Sequence, residues 1–218
     1  MALTNYSKNK MGDGWYRGQA LGAPAARHYA LFSVKPALDG TGGTELSNGT
    51  SPGYARVNVG TLSAAYDAWA SGVSQNAVQI LWGPNSGVAN WVEAVAFGSY
   101  DAASAGILLE VDWFIKPNSR TPFTAVAATD ILTAVAHAFI NGAKVVIQGT
   151  GLPSGLSADT IYYVIGVSGN TFQLSTTSGG AAINFTADGD GTIFEVVTQV
   201  VVQNGDAKFN TGDLDILL

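Results

Sequence analysis

Residues 91–97 read Trp-Val-Glu-Ala-Val-Ala-Phe, and apolar and polar side chains alternate along this stretch as they do along a half-buried β-strand. The same period of two recurs in Ala-Arg-Val-Asn-Val at residues 55–59 and in Val-Gln-Ile-Leu at residues 78–81. A longer apolar run at residues 107–115 ends before Pro117, which removes a hydrogen-bond donor from a strand ladder. Together these stretches predict β-strands.

The rest of the chain continues this pattern. Further strands are predicted at residues 131–135, 144–148, 160–167, 171–174, 193–197, 199–203 and 213–217. Glycine-rich clusters between the runs, such as residues 40–43, 168–170, 179–180 and 188–191, supply the positive φ that tight hairpins need. Helix is favoured only at residues 5–11 and 62–70. The fold class is therefore all-β, an antiparallel sandwich or barrel with a short N-terminal helix.

Composition excludes several classes of function. Only 12% of the 218 residues are charged, 47% are hydrophobic, and the net charge of −6 comes with basic residues that are scattered singly. A phosphate-binding surface for nucleic acid is therefore not expected. No run reaches the roughly 18 apolar residues of a membrane helix, and no secretory signal is seen at the start. The absence of cysteine excludes disulfides, thiolate metal sites and cysteine nucleophiles.

Composition also changes near Asn118, which suggests a second module. All five tryptophans lie before this residue, whereas residues 124–198 are rich in Ala, Thr, Gly and Val and contain no tryptophan. An insertion of this kind is tolerated where two chain ends lie close together on an exposed loop.

Two resemblances refine this division. An ordered series of short motifs resembles a family of small tailed-phage virion proteins that is often labelled tail fibre protein. The series is Asn5-Tyr6, Tyr-Ala-Leu-Phe at 29–32, Gly-Gly-Thr-Glu-Leu-Ser at 42–47, Gly-Tyr-Ala-Arg-Val at 53–57, Asn-Gly-Asp at 204–206 and Gly-Asp-Leu-Asp-Ile at 212–216. Residues 131–183 are similar to a small β module that is repeated in many phage fibre and decoration proteins.

The resemblances imply two domains with different roles. Residues 1–119 plus 200–218 would form the β domain that anchors the protein to the virion. Residues 120–199 would form a small β domain, inserted before the last strand of the first and facing outward.

Four sequence features resemble parts of catalytic or metal-binding sites, but each favours a structural role. Residues 49–53 match Gly-x-Ser-x-Gly, but Pro52 lacks the N–H that the oxyanion site of a serine hydrolase needs, so a turn is predicted. Asp188 and Asp190 miss the calcium-loop spacing, which favours a hairpin turn and leaves a bound cation open. His28 and His137 have no second ligand at metal-binding spacing. We therefore expect no catalytic, cofactor-binding or metal-binding residues.

Aromatic and basic side chains are the candidates for contact with a partner. Trp91 and Trp113 lie inside strand runs and are predicted core residues, although any of the tryptophans could stack on a sugar or anchor a partner. The predicted contact residues are Trp15, Tyr16, Arg17, Tyr54 and Arg56.

The function predicted from these features is that of a non-enzymatic structural protein on the exterior of a tailed-phage virion. A head decoration or cement protein that binds the major capsid protein is favoured, because the chain lacks the heptads of a fibre shaft. A tail fibre, collar or tail-tip protein that contacts a host receptor or surface glycan is the alternative. Low charge predicts a homo-oligomer, taken as a trimer by analogy. Synthesis in the host cytoplasm and release by lysis would follow.

Overall fold

The computed structural model describes residues 2–22, 24–71 and 73–217. The two helices in this part of the chain are α1 (Asn5–Arg17) and α2 (Leu62–Ala65). The first eight strands are β1 (Ala2–Leu3), β2 (His28–Val34), β3 (Thr44–Glu45), β4 (Val57–Asn58), β5 (Val73–Gln75), β6 (Ile80–Trp82), β7 (Ala96–Tyr100) and β8 (Leu108–Trp113). The next six are β9 (Thr121–Val126), β10 (Ile131–Thr133), β11 (Lys144–Gln148), β12 (Ile161–Ser168), β13 (Thr171–Ser175) and β14 (Gly189–Glu195). The last are β15 (Ala207–Phe209) and β16 (Asp215–Leu217).

These elements confirm the all-β fold class, and all the named strand pairs are antiparallel. The chain divides into two compact units. Unit 1 comprises Met1–Phe114 and Thr198–Leu218, and unit 2 comprises Ile115–Val197. The roles assigned to the two domains from sequence, anchoring and outward-facing, stay predictions.

Unit 1 is built on a six-stranded sheet. Its strands run in the order β1-β8-β7-β2-β3, and β4 also pairs with β2. Tyr29, Ala30, Leu31 and Phe32 of β2 are all buried, which shows that both faces of the sheet are covered at its centre. Trp91 and Trp113 are buried as predicted.

The end of the chain returns to unit 1 as two short strands. β15 pairs with β6, and β16 pairs with β5. The strand predicted at residues 199–203 is wrong, because this segment forms an isolated bridge between Gln199 and Ala94 and no continuous strand ladder. The strand predicted at residues 91–97 begins later, at Ala96, because Ala94 forms only the isolated bridge to Gln199 and lies outside the sheet.

Unit 2 is a closed barrel with the strand order β10-β13-β12-β11-β14-β9. Closure pairs every strand on both sides and leaves no free sheet edge. The barrel core is made of buried apolar side chains that alternate with outward-facing ones. It includes Phe123, Leu132, Val145, Ile147, Val164, Phe172, Leu174 and Ile193.

Two local predictions also differ from the structure. The hairpin turn expected at residues 188–191 is wrong, because β14 already begins at Gly189 and pairs with β9. Helix α1 is longer than predicted and ends at Arg17, where Gly18 caps it with a φ of 64°, the left-handed conformation that glycine adopts without strain. Among the described residues, no helix is long and apolar enough to cross a membrane.

Candidate functional site

Helix α1 carries three of the five predicted contact residues. Its start is tied to β8, since the Ser7 hydroxyl donates to the Leu109 carbonyl at 2.6 Å. None of its 13 residues is buried. Trp15 is 70% exposed and Tyr16 is 87% exposed, and Arg17 pairs with Asp13 at 3.1 Å on the surface. The three side chains are therefore together and accessible at the C-terminal end of the helix.

Tyr54, by contrast, makes its hydrogen bonds inside unit 1. Its hydroxyl accepts a hydrogen bond from the Leu31 N–H and donates one to the Glu45 carboxylate, both at 3.0 Å. Burial, helped by the nearby Glu45 carboxylate, raises the pKa of Tyr54 above its ordinary value. Tyr54 thus joins β2 to β3.

Arg56 likewise makes its contacts within unit 1. Its guanidinium forms an ion pair with Glu45 at 2.7 Å, lies 3.5 Å from the centre of the Tyr100 ring, and donates to the Ala105 carbonyl at 2.6 Å. Since both Tyr54 and Arg56 satisfy contacts within the chain, the geometry supports partner contact only for the three residues of α1. That contact remains a prediction.

Unit 1 also contains a pocket that the sequence did not indicate. Its volume is about 400 Å³, and it is lined by Arg27, Leu62, Ser63, Tyr66, Asp67, Ala68, Trp69 and Ser74. The predicted helix at residues 62–70 ends at Ala65, and the chain then forms a hairpin in which Tyr66 bridges Asn76 and Ala70 bridges Val73. This hairpin presents Trp69, 49% exposed, to solvent.

A buried polar network supports this pocket. The Glu110 carboxylate is fully buried, and its Oε1 accepts hydrogen bonds from the guanidinium of Arg27, from the Ser99 hydroxyl at 2.9 Å and from the Tyr29 hydroxyl at 3.3 Å. The Tyr66 hydroxyl donates to that of Tyr29 at 2.9 Å. Oε2 of Glu110 has no hydrogen-bond partner among the described residues.

The network also shifts the ionisation of its members. Burial would lower the pKa of Arg27, but the Glu110 carboxylate and the neighbouring phenols together raise it. Burial, and after it the Glu110 charge, raises the pKa of Tyr29. Arg27 and Glu110 are thus held as a buried ion pair, with the guanidinium 5.6 Å from the centre of the Tyr66 ring.

The motifs considered for chemistry have structural contacts. Ser51 is fully buried, and its hydroxyl accepts a hydrogen bond from the Val92 N–H at 3.3 Å. The Asp188 carboxylate accepts one from the Ala127 N–H at 2.7 Å. Nδ1 of His137 accepts one from the Phe139 N–H at 3.1 Å, and the two rings stack. The described residues contain no group of three or more histidines and carboxylates placed to hold a metal ion.

Comparison with known proteins gives one family. The family model described as podophage GP4 fiber I protein gp80 matches residues 2–133. The match covers α1, the six-stranded sheet and the pocket of unit 1, and it continues through β9 and β10 of unit 2. A search of curated proteins finds no match.

Proposed function

The chain belongs to the family of podophage GP4 fiber I protein gp80, and from this membership we propose that it is a fibre component of a podophage-type tail. The family makes the chain a bacteriophage structural protein on the exterior of the virion, in association with other virion proteins. The observation that carries the fibre assignment is the match itself, which extends over more than half of the 218 residues. A structural rather than an enzymatic role accords with this family.

Helix α1 is the proposed attachment element. A 13-residue helix is marginal in isolation, and none of the residues of α1 is buried. Exposed Trp15 and Tyr16 are residue types that often supply most of the binding energy at protein interfaces. We therefore assign α1 to contact with a tail protein of the particle, and unit 2 to the outward-facing role.

Attachment through α1 can be tested by incorporation. Virions assembled with Trp15→Ala/Tyr16→Ala protein should carry much less of it, as measured by immunoblotting of purified particles. Val88→Ala is the matched control, because Val88 is 92% exposed but lies outside α1. Equal incorporation of both variants would contradict attachment through α1.

Head decoration is the second candidate. The observation that favours it is the absence of a heptad or other short repeat in the sequence, since a fibre shaft usually has one. The family description favours the fibre, so we place that assignment first. In either location the small charged fraction, 12%, supports self-association, and we propose a homotrimer, which mass photometry of the purified protein tests.

The location is tested by cryo-electron microscopy of virions with the protein and of virions from which its gene is deleted. Loss of density at the tail or neck is the expected result. Loss of regularly spaced density over the capsid would instead establish the decoration protein. If no density is lost, the virion assignment is overturned.

A further inference from the structure

We propose that the pocket of unit 1 lined by Arg27, Tyr66, Asp67 and Trp69 binds a sugar ring. The proposal that the sugar belongs to a glycan of the host surface rests on the proposed function. The proposal that the pocket binds a sugar does not. Sugar rings combine an apolar face of C–H groups with a rim of hydroxyls. A site for them therefore needs an exposed aromatic surface together with a few hydrogen-bonding groups.

Trp69 supplies the aromatic surface. The hairpin that carries it is fixed by three contacts within unit 1. The Asp67 N–H donates to the Gln75 carbonyl at 2.9 Å, the Ala70 N–H donates to the Val73 carbonyl at 3.0 Å, and the Ser74 hydroxyl donates to the Asp67 carbonyl at 2.8 Å. The indole is nevertheless 49% exposed, although burial of a tryptophan contributes more to stability than burial of most side chains. An exposed indole on a fixed hairpin is pre-organised for stacking.

Asp67 and Ser63 supply hydrogen-bonding groups. Both are exposed at the pocket. Neither the Asp67 carboxylate nor the Ser63 hydroxyl makes a hydrogen bond or ion pair with the described residues. A carboxylate can accept two hydrogen bonds from neighbouring hydroxyls of a sugar, and charged hydrogen bonds are stronger than neutral ones.

Arg27 and Tyr66 form a rigid wall of the pocket. The ion pair with Glu110 fixes the guanidinium, whose side chain keeps 23% of its surface exposed. The phenol ring of Tyr66 is fixed by its hydroxyl bond to Tyr29. Because these groups are already ordered, a ligand would not have to order them on binding. The volume of about 400 Å³ lies at the lower end of the roughly 300–1,000 Å³ of small-molecule sites, which suits one or two sugar rings.

The full chain can be tested directly with methyl glycosides of glucose, galactose, N-acetylglucosamine and rhamnose at millimolar concentrations. Saturation-transfer difference NMR should detect binding of at least one of them. Truncation of a central tryptophan commonly costs more than 1 kcal/mol, so Trp69→Ala should weaken that binding about fivefold or more. Asp67→Asn should weaken it less, because the amide retains one acceptor oxygen.

Val88→Ala is the control, since Val88 is also exposed but lies outside the pocket, and it should bind the sugar as the wild type does. Circular dichroism should show that all three variants are folded. Failure of all four glycosides to bind overturns the proposal, and so does binding that is unchanged in Trp69→Ala. Either result would leave the location of the protein on the virion, which imaging tests separately, unaffected.

Discussion

At the residue scale, the most consequential side chain of unit 1 is Glu110. It lies in β8, between β1 and β7, and neutralises a partly buried arginine while accepting hydrogen bonds from Ser99 and Tyr29. A buried ion pair gains little over an apolar pair, but removal of one partner leaves the other charge uncompensated. Glu110 thus maintains both the sheet and the wall of the pocket.

Glu110→Ala should therefore destabilise unit 1 by about 3–5 kcal/mol. Urea unfolding monitored by tryptophan fluorescence measures the stability of unit 1 alone, because all five tryptophans lie within Met1–Phe114. Asp206→Asn serves as the control, since exposed Asp206 makes no ion pair with the described residues and should change the stability by less than about 0.5 kcal/mol. A loss below about 1 kcal/mol for Glu110→Ala would show that Arg27 does not depend on this carboxylate.

The phenols predict a second property at this scale. Burial raises the pKa of Tyr29, Tyr54, Tyr66 and Tyr100 above the ordinary value of about 10. The folded state therefore keeps these protons at a pH where the unfolded state loses them. The stability that depends on them is fully present below about pH 10 and is lost as the pH rises further.

Absorbance at the tyrosinate band provides the measurement. As long as circular dichroism shows the fold to be intact, these four phenols should ionise at a higher pH in the folded protein than in the unfolded one, because burial raises their pKa. The same titration in guanidinium chloride is the control and should ionise all eight tyrosines. A tyrosinate titration of the folded protein that coincides with the one in guanidinium chloride would contradict the buried network.

At the element scale, the strand β14 shows where glycine is required by close packing and not by a turn. A Cβ added at Gly189 would lie 2.2 Å from the backbone nitrogen of Pro153 and 2.6 Å from the carbonyl oxygen of Gly151. Sequence patterns associate Asp-Gly-Asp-Gly with hairpin turns. Here the same glycines let a neighbouring loop approach the barrel wall.

Gly189→Ala should accordingly destabilise unit 2 by about 1–3 kcal/mol or more, because backbone atoms must move to admit the methyl group. Gly151→Ala is the matched variant. Its Cβ would meet only the exposed carboxylate of Asp190, at 3.2 Å, and this side chain can rotate away. Chemical unfolding monitored by circular dichroism compares the two, and equal stability would exclude close packing as the reason for Gly189.

Strands with their own alternation or apolar runs, such as β8, β11 and β12, could be predicted from sequence within one or two residues. Pairing between distant segments could not, since β15 with β6 and β16 with β5 depend on register in the folded chain. Trp15 was a candidate contact residue because it lies in a glycine-rich stretch, but the predicted helix ended at Met11 and did not include it. The pocket was not predicted, because Arg27 lies 42 positions from Trp69 and part of the hairpin that carries Trp69 was predicted as helix.

At the scale of the whole molecule, backbone contacts bring together the two chain ends of each unit, where the chain passes to the other unit. In unit 2, Ile115 bridges Val196, and the Lys116 N–H donates to the Glu195 carbonyl at 2.9 Å. In unit 1, the Phe114 N–H donates to the Val95 carbonyl, and Gln199 bridges Ala94, the neighbour of Val95. Within each unit the two chain ends therefore lie close together, and this geometry tolerates insertion and excision of a domain.

Excision of unit 2 should thus leave unit 1 folded. Residues 115–197 would be replaced by a short Gly-Ser linker, and the fluorescence unfolding curve of the five tryptophans should keep its midpoint within the error of the intact protein. The separate fragment 115–197 should unfold cooperatively, because its barrel closes on its own core. Loss of the cooperative transition of unit 1, with that of the fragment retained, would show that unit 1 depends on unit 2 for folding. Unit 2 would then not be an independent insertion in an anchoring domain. Retention of both transitions would make virions that carry only unit 1 the direct way to separate attachment from any outward function of unit 2.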